Sequence, residues 1–162
     1  MQTWPLLQSV LLLTLANGAP VVAKKLMGAR LAFPLDAGAR FFDGQPLLGP
    51  SKTVRGVVIS VVTTAAVAPL LGQSLATGGL VAALAMIGDL FSSFVKRRMR
   101  FPSSSQAIGL DQVPESLLPL LVCKEMLSLT SIDVAIGVGI FVVGELILSR
   151  LLYDLRLRDE PY

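Results

Sequence analysis

Gly88-Asp89-Leu90-Phe91-Ser92-Ser93-Phe94-Val95-Lys96-Arg97-Arg98 closes a long apolar run that begins near Gly79. It therefore reads as the end of a membrane-spanning helix where it meets water. On a helix, Asp89, Ser93 and Lys96 fall at i, i+4 and i+7, along one face. A carboxylate in the last turns of a span is expensive in lipid, which points it into the bundle interior or a wet cavity. The basic cluster matches the sign of the helix dipole at a C-terminus. A carboxylate for a metal, hydroxyls beside it and cations beyond it suit chemistry on phosphates at a membrane surface.

Two further polar blocks converge on the same side. The first runs from Pro34-Leu35-Asp36-Ala37-Gly38 through Asp43-Gly44 to Gly49-Pro50-Ser51-Lys52-Thr53-Val54-Arg55-Gly56. Ser51 or Thr53 can cap the helix that follows, leaving backbone N–H groups and two cations as an anion site. It is not a P-loop, because Pro50-Ser51 separates Gly49 from Lys52-Thr53. The plain alternative is an Asp-Gly turn with a positively charged anchor. The second block is Asp111-Gln112-Val113-Pro114-Glu115, where Asp111 can cap a helix that has Pro114 in its first turn. Glu115 and Glu145 come out at similar depth on neighbouring antiparallel helices, with a buried structural hydrogen bond as the favoured reading of Glu145. Asn17 either reads a base or ribose or satisfies backbone freed by Pro20. Cys123 reads as a small core residue.

The elements that must position these residues are apolar. Of 162 residues 53% are hydrophobic and 15% charged, against roughly 25% charged in a soluble domain. Mean hydropathy is +0.70, and several stretches approach the ~20 residues that cross a bilayer. The apolar runs are continuous, without the period-2 alternation of a barrel. The expected fold is all-α: a polytopic membrane protein of about five helices in one domain, residues 1–162. Spans are predicted at about Trp4–Val22, Val54–Leu71, Leu75–Val95, Pro114–Leu129 and Ile132–Leu152. The fourth is weak, since it carries Glu115, Pro119, Lys124 and Glu125. No positive charge precedes the first apolar run, which argues for a retained helix rather than a cleaved leader. The polar segment from Lys24 to Thr53 contains Phe33, Phe41, Phe42, Leu47 and Leu48, so a packed loop with an interfacial helix is expected there.

Nearly every Lys and Arg lies after the first and third spans or in the tail. The positive-inside rule then puts the N-terminus outside, and both basic loops and the C-terminus in the cytoplasm. A plasma-membrane location with a cytoplasmic active face is expected. The chain has no histidine, which removes the commonest general base and zinc ligand. One cysteine rules out an intrachain disulfide. Carboxylates, hydroxyls and cations without histidine suit Mg²⁺-assisted transfer of a phosphate-containing group. An acceptor that is itself a phosphate is already ionised and needs no base.

These motifs, in order, together with Asn17-Gly18-Ala19-Pro20 and the ending Tyr153…Pro161-Tyr162, resemble the CDP-archaeol synthase family, which belongs with the phosphatidate cytidylyltransferases. The resemblance spans nearly the whole chain. It implies transfer of CMP from CTP to a lipid phosphate, giving a CDP-lipid and pyrophosphate with Mg²⁺ as cofactor. The acceptor would be 2,3-bis-O-geranylgeranylglycerol phosphate or a phosphatidate-like lipid, with no nucleic-acid partner. It makes Asp89, Lys96, Arg97 and Asp111 the catalytic set and Asp89 and Asp111 the metal carboxylates, with Asp43 a lesser candidate. Asn17, Asp36, Asp43, Lys52, Thr53, Arg55, Ser93 and Arg98 become substrate contacts. The Met99–Ala107 stretch, Val113-Pro114-Glu115 and Ser149 depart from the family pattern, leaving ether and ester acceptors both open. A competing reading is a transporter or lipid-phosphate-binding scaffold that uses the same basic pocket without turnover.

Overall fold

The computed structural model describes residues 2–154, and among them every regular element is helical. The helices are α1 (Thr3–Met27), α2 (Val54–Val67) with a 3-10 turn (Ala68–Leu71), α3 (Leu75–Arg98), α4 (Gln112–Val122) and α5 (Ser131–Asp154). Counting the 3-10 turn with α2, four helices are long and apolar enough to cross a bilayer. The expected fourth span differs: α4 has 11 residues, about 16 Å at 1.5 Å per residue. Pro119 removes the amide that would bond the Glu115 carbonyl, and the helix ends one turn later. Turns over residues 123–128 then lead the chain to α5. The interfacial helix expected between α1 and α2 is also absent. Residues 28–53 fold instead as a loop with two β-bridges, Pro34 to Thr53 and Arg40 to Pro46.

Caps fix both ends of the bundle. Thr53 caps α2 by accepting the Gly56 amide at 3.2 Å, and Ser74 caps α3 through Thr77 at 3.0 Å. Thr130 and Asp133 form a reciprocal capping box at the start of α5. The remaining Asp133 oxygen accepts the Gln2 amide at 3.1 Å, tying the start of α1 to the start of α5. At that same end Gln8 donates to the Leu71 carbonyl at 2.5 Å and accepts from Gln73 at 3.1 Å. Pro20 lies inside α1 and frees the Ala16 carbonyl, which accepts the Ser60 hydroxyl of α2 at 2.7 Å. The backbone gap that Asn17 was expected to be able to fill is thus filled by Ser60.

α3 is the hub, packing against α1, α2 and α4. Small residues permit this, because lipid-embedded helices gain mostly from close van der Waals contact. A Cβ on Gly78 would lie 2.4 Å from Ala68 Cβ, and one on Gly88 would lie 2.3 Å from the Pro114 carbonyl oxygen and 2.6 Å from Glu115 Cα. Gly88 therefore brings the start of α4 onto α3 one residue before Asp89. Leu12, Leu13, Val81, Ala82, Ala85 and Leu120 fill the core around this contact. Overpacking costs about 1–3 kcal/mol, so Gly88→Ala should lower the thermal unfolding midpoint in detergent by several degrees. Gly79→Ala, whose Cβ meets nothing nearer than 3.7 Å, should leave that midpoint unchanged.

Candidate functional site

A cavity of about 790 Å³ opens at the charged end of the bundle. α1 contributes Asn17 and Val21, and the loop before α2 contributes Lys52 and Thr53. α2 adds Arg55 and Val57, and α3 adds Asp89, Ser93, Lys96 and Arg97. Asp111 and Glu115 close one side, and Phe141, Glu145 and Leu148 of α5 the other. One wall is thus charged and the other largely apolar, the arrangement needed to hold a polar headgroup while its chains stay in hydrocarbon.

Two ion pairs cross the charged wall. Lys52 Nζ donates to both Asp89 oxygens at 2.6 Å, linking the loop to α3. Lys96 Nζ lies 2.6 Å from Asp111 Oδ1 and donates to the Ser105 carbonyl at 2.8 Å. Asp111 holds the N-terminal position of α4 but does not cap it with its side chain, contrary to expectation. Its Oδ2 accepts the Ala107 amide at 2.8 Å instead, because the pull of Lys96 and the approaching loop turn the carboxylate back toward residues 105–107. Asp89 and Asp111 therefore face one cavity, each with a lysine on it.

The arginines are placed differently. Arg55, nearly buried, donates from Nη1 to the Gly28 carbonyl at 2.9 Å and to that of Arg30. Arg97 donates from Nη2 to the Pro102 carbonyl at 2.8 Å, and its buried Nε has no partner among the described residues. Arg98 donates to Asp43 at 2.7 Å and to the Pro46 carbonyl at 2.5 Å, with its guanidinium over the rings of Phe41 and Phe94. Arg98, Asp43 and Asp36 do not line the cavity. Asp36 accepts the Leu48, Gly49 and Gly38 amides at 2.9, 3.1 and 3.0 Å. Partial burial opposes its ionisation, but the three amides outweigh that and hold its carboxyl below the usual range.

Asn17 lines the cavity, and its Nδ2 donates to the Leu13 carbonyl at 3.1 Å. The Thr53 hydroxyl is engaged as the α2 cap, and Ser93 is almost wholly buried on the wall. Glu115 joins the set that spacing had left outside it. It is 5% exposed, and its Oε1 has no hydrogen-bond partner among the described residues. Its position four residues after Asp111 was the available signal, but an acidic first-turn residue ordinarily answers the helix dipole. Among the described residues no three acidic, histidine or cysteine side chains form a metal cage. Two carboxylates whose counter-ions are flexible lysines nevertheless fit Mg²⁺, which takes one or two protein carboxylates and completes its shell with water and substrate phosphates.

Residues 70–162 match the family model described as CarS-like, CDP-archaeol synthase. The CDP-archaeol synthase of Pyrobaculum calidifontis is 37% identical over 91% of this chain and 90% of its own length. That of Thermofilum pendens is 33% identical over 91% of this chain and 75% of its own. A solved structure of an intramembrane enzyme for archaeal membrane lipids biosynthesis superposes with a TM-score of 0.67 at 25% identity, covering 85% of this chain and 90% of that one.

The Asp36 carboxylate should show its role in titration. Its folded-state pKa lies below the ordinary value of about 3.9, so its hold on the loop is complete above that value and is lost as pH falls through the lower folded one. The Leu48 and Gly49 amide resonances should therefore titrate with a midpoint under the ordinary value. In Asp36→Asn that transition should vanish.

Proposed function

This chain belongs to the CDP-archaeol synthase family, and we propose that it transfers CMP from CTP to a lipid phosphate of the 2,3-bis-O-geranylgeranylglycerol phosphate type. The products are a CDP-activated lipid and pyrophosphate. The observation that carries the reading is the pairing of Lys52 with Asp89 and Lys96 with Asp111 on one cavity whose α5 wall is largely apolar. One membrane domain supplies the whole site.

In the reaction, an oxygen of the lipid phosphate attacks the α-phosphorus of CTP and forms the new P–O bond. The bond from that phosphorus to the bridging oxygen breaks, and its electron pair leaves with pyrophosphate. The nucleophile is already an anion, so a site without histidine lacks nothing for this step. Lys96 and Arg97 face the charge that builds at the transferring phosphorus. Lys52 meets a triphosphate oxygen once it leaves Asp89, and Asn17 and Ser93 supply polar contacts to nucleotide or headgroup. Asp89 and Asp111 would hold Mg²⁺, which when bound neutralises phosphate charge and polarises the P–O bonds. Arg55 and the Arg98–Asp43 pair act through the loop, which they hold against the bundle, and Asp36 acts by bracing that loop internally. The positive-inside rule supports a plasma-membrane protein with its N-terminus outside and this site on the cytoplasmic face.

Mass spectrometry of products from purified protein given CTP, Mg²⁺ and a mixed pool of ether and ester lipid phosphates tests the assignment. A CDP-lipid and pyrophosphate are expected in equal amounts, with the ether acceptor preferred. Loss of positioning and charge stabilisation typically costs roughly 100-fold or more, so Asp89→Asn and Lys96→Ala should each fall at least that far. CTP that binds but is never consumed with any acceptor would move the protein to the scaffold reading.

A further inference from the structure

The tip of the loop between α1 and α2 carries a phenylalanine that the bundle does not use. Phe42 is 100% exposed, yet it sits on a rigid support. The Phe41 amide donates to the Gln45 carbonyl and the Gly44 amide to the Phe41 carbonyl, both at 2.9 Å, and Asp43 accepts the Gln45 amide at 3.0 Å. Gly44 takes the left-handed conformation that this tight turn needs, at φ +77°. Beneath the tip, Arg98 reaches from the end of α3 to Asp43 and the Pro46 carbonyl. The Phe41 ring packs edge-on to Phe94 of α3 at 5.4 Å and to Phe42 at 5.1 Å.

The face of α3 on which this tip is mounted identifies what lies around it. Ile87, Phe91, Phe94 and Arg98 follow one another at spacings of four, three and four residues, one stripe of the helix. Ile87 and Phe91 are 53% and 57% exposed on a helix that crosses the bilayer, so that stripe faces lipid. Phe94 continues it by one turn and is covered by Phe41, with Phe42 beside it. The tip thus extends a lipid-facing surface at the level where α3 leaves the hydrocarbon. Arg40, one residue before the aromatic pair, is exposed; its Nη1 donates to the Gly44 carbonyl at 2.9 Å, and it has no carboxylate partner among the described residues. An aromatic ring at the headgroup level flanked by an exposed guanidinium that no carboxylate neutralises is the pattern of an interfacial anchor.

We propose that the Phe41–Phe42 tip inserts into the headgroup region of the bilayer around α3, with Arg40 on lipid phosphates, and so pins the loop that carries Lys52 at a fixed depth. The partner is the surface of the membrane in which the protein sits, and the inference does not depend on the reaction assigned above. Trp4 is the chain's single tryptophan, so Phe42→Trp in a Trp4→Phe background gives a reporter at the tip. Because Phe42 is wholly exposed, the replacement should not disturb the fold. The protein is reconstituted into phosphatidylcholine vesicles with a minority of phosphatidylglycerol, brominated near the headgroup or deep in the chains. The expected result is emission at shorter wavelength than an aqueous indole, with most of the fluorescence lost to shallow bromines and less to deep ones. Emission like that of free tryptophan, quenched by iodide and by neither brominated lipid, would overturn the proposal. So would a blue-shifted emission that bromines leave intact and that depends on protein concentration in detergent, which would assign the tip to a second copy of the chain.

Discussion

A carboxylate at the edge of a bilayer has to be matched by a cation. Desolvating an ion costs several kcal/mol even after relaxation, and a charge left alone near hydrocarbon keeps that penalty in full. Asp89 meets this requirement with a residue 37 positions away, since Lys52 lies on both its oxygens. Asp111 meets it with Lys96, and Asp43 with Arg98. Each pair joins two segments that share no secondary structure, so neutralising the charges also folds the loops onto the helix ends. The side chains of the Lys52–Asp89 pair remain about one-fifth exposed, which keeps the pair open to exchange with an incoming ligand.

The pairing works only because α3 lets its neighbours approach. Gly78 admits the 3-10 turn after α2, and Gly88 admits the first turn of α4 to within backbone contact. The second contact bears on the site directly. It fixes Glu115 beside the Asp89 turn and Asp111 one turn of α4 away, so a packing constraint in the core sets the positions of the acidic groups. α4 can be short for the same reason. It is held by α3 and α5 on its flanks and need not present a full apolar length to lipid.

Much of this was legible in the chain. The four long spans follow from apolar runs of bilayer length. The grouping of three polar blocks at one end follows from the count of crossings and the asymmetry of Lys and Arg. Thr53 was readable as a cap because a hydroxyl preceded an apolar run. The length of α4 was not readable, since Pro119 can be absorbed within a helix or can herald its end, and packing against α3 and α5 makes the early end tolerable. The partner of the carbonyl freed by Pro20 was hidden because Ser60 lies 44 positions away from Ala16. Asp36, Asp43 and Arg98 belonged to motifs that looked like ligand contacts; in the structure Asp36 bonds loop amides, and Asp43 and Arg98 bond each other and loop backbone. Residue type alone cannot separate those two uses of the same charge.

The basic residues divide by chemistry. Arg55, Arg97 and Arg98 each donate to a backbone carbonyl of a loop, and the planar fork of a guanidinium suits a fixed carbonyl that never leaves. Lys52 and Lys96 carry the pairs that face the cavity. An ammonium is a point charge on a flexible stem, so it can exchange a carboxylate for a phosphate by rotating a few bonds while the backbone stays still. Were the roles reversed, each exchange of partner at the site would release a loop. With Arg55 and Arg98 holding the loop between α1 and α2, Lys52 can exchange its carboxylate for a phosphate without unfolding that part of the rim.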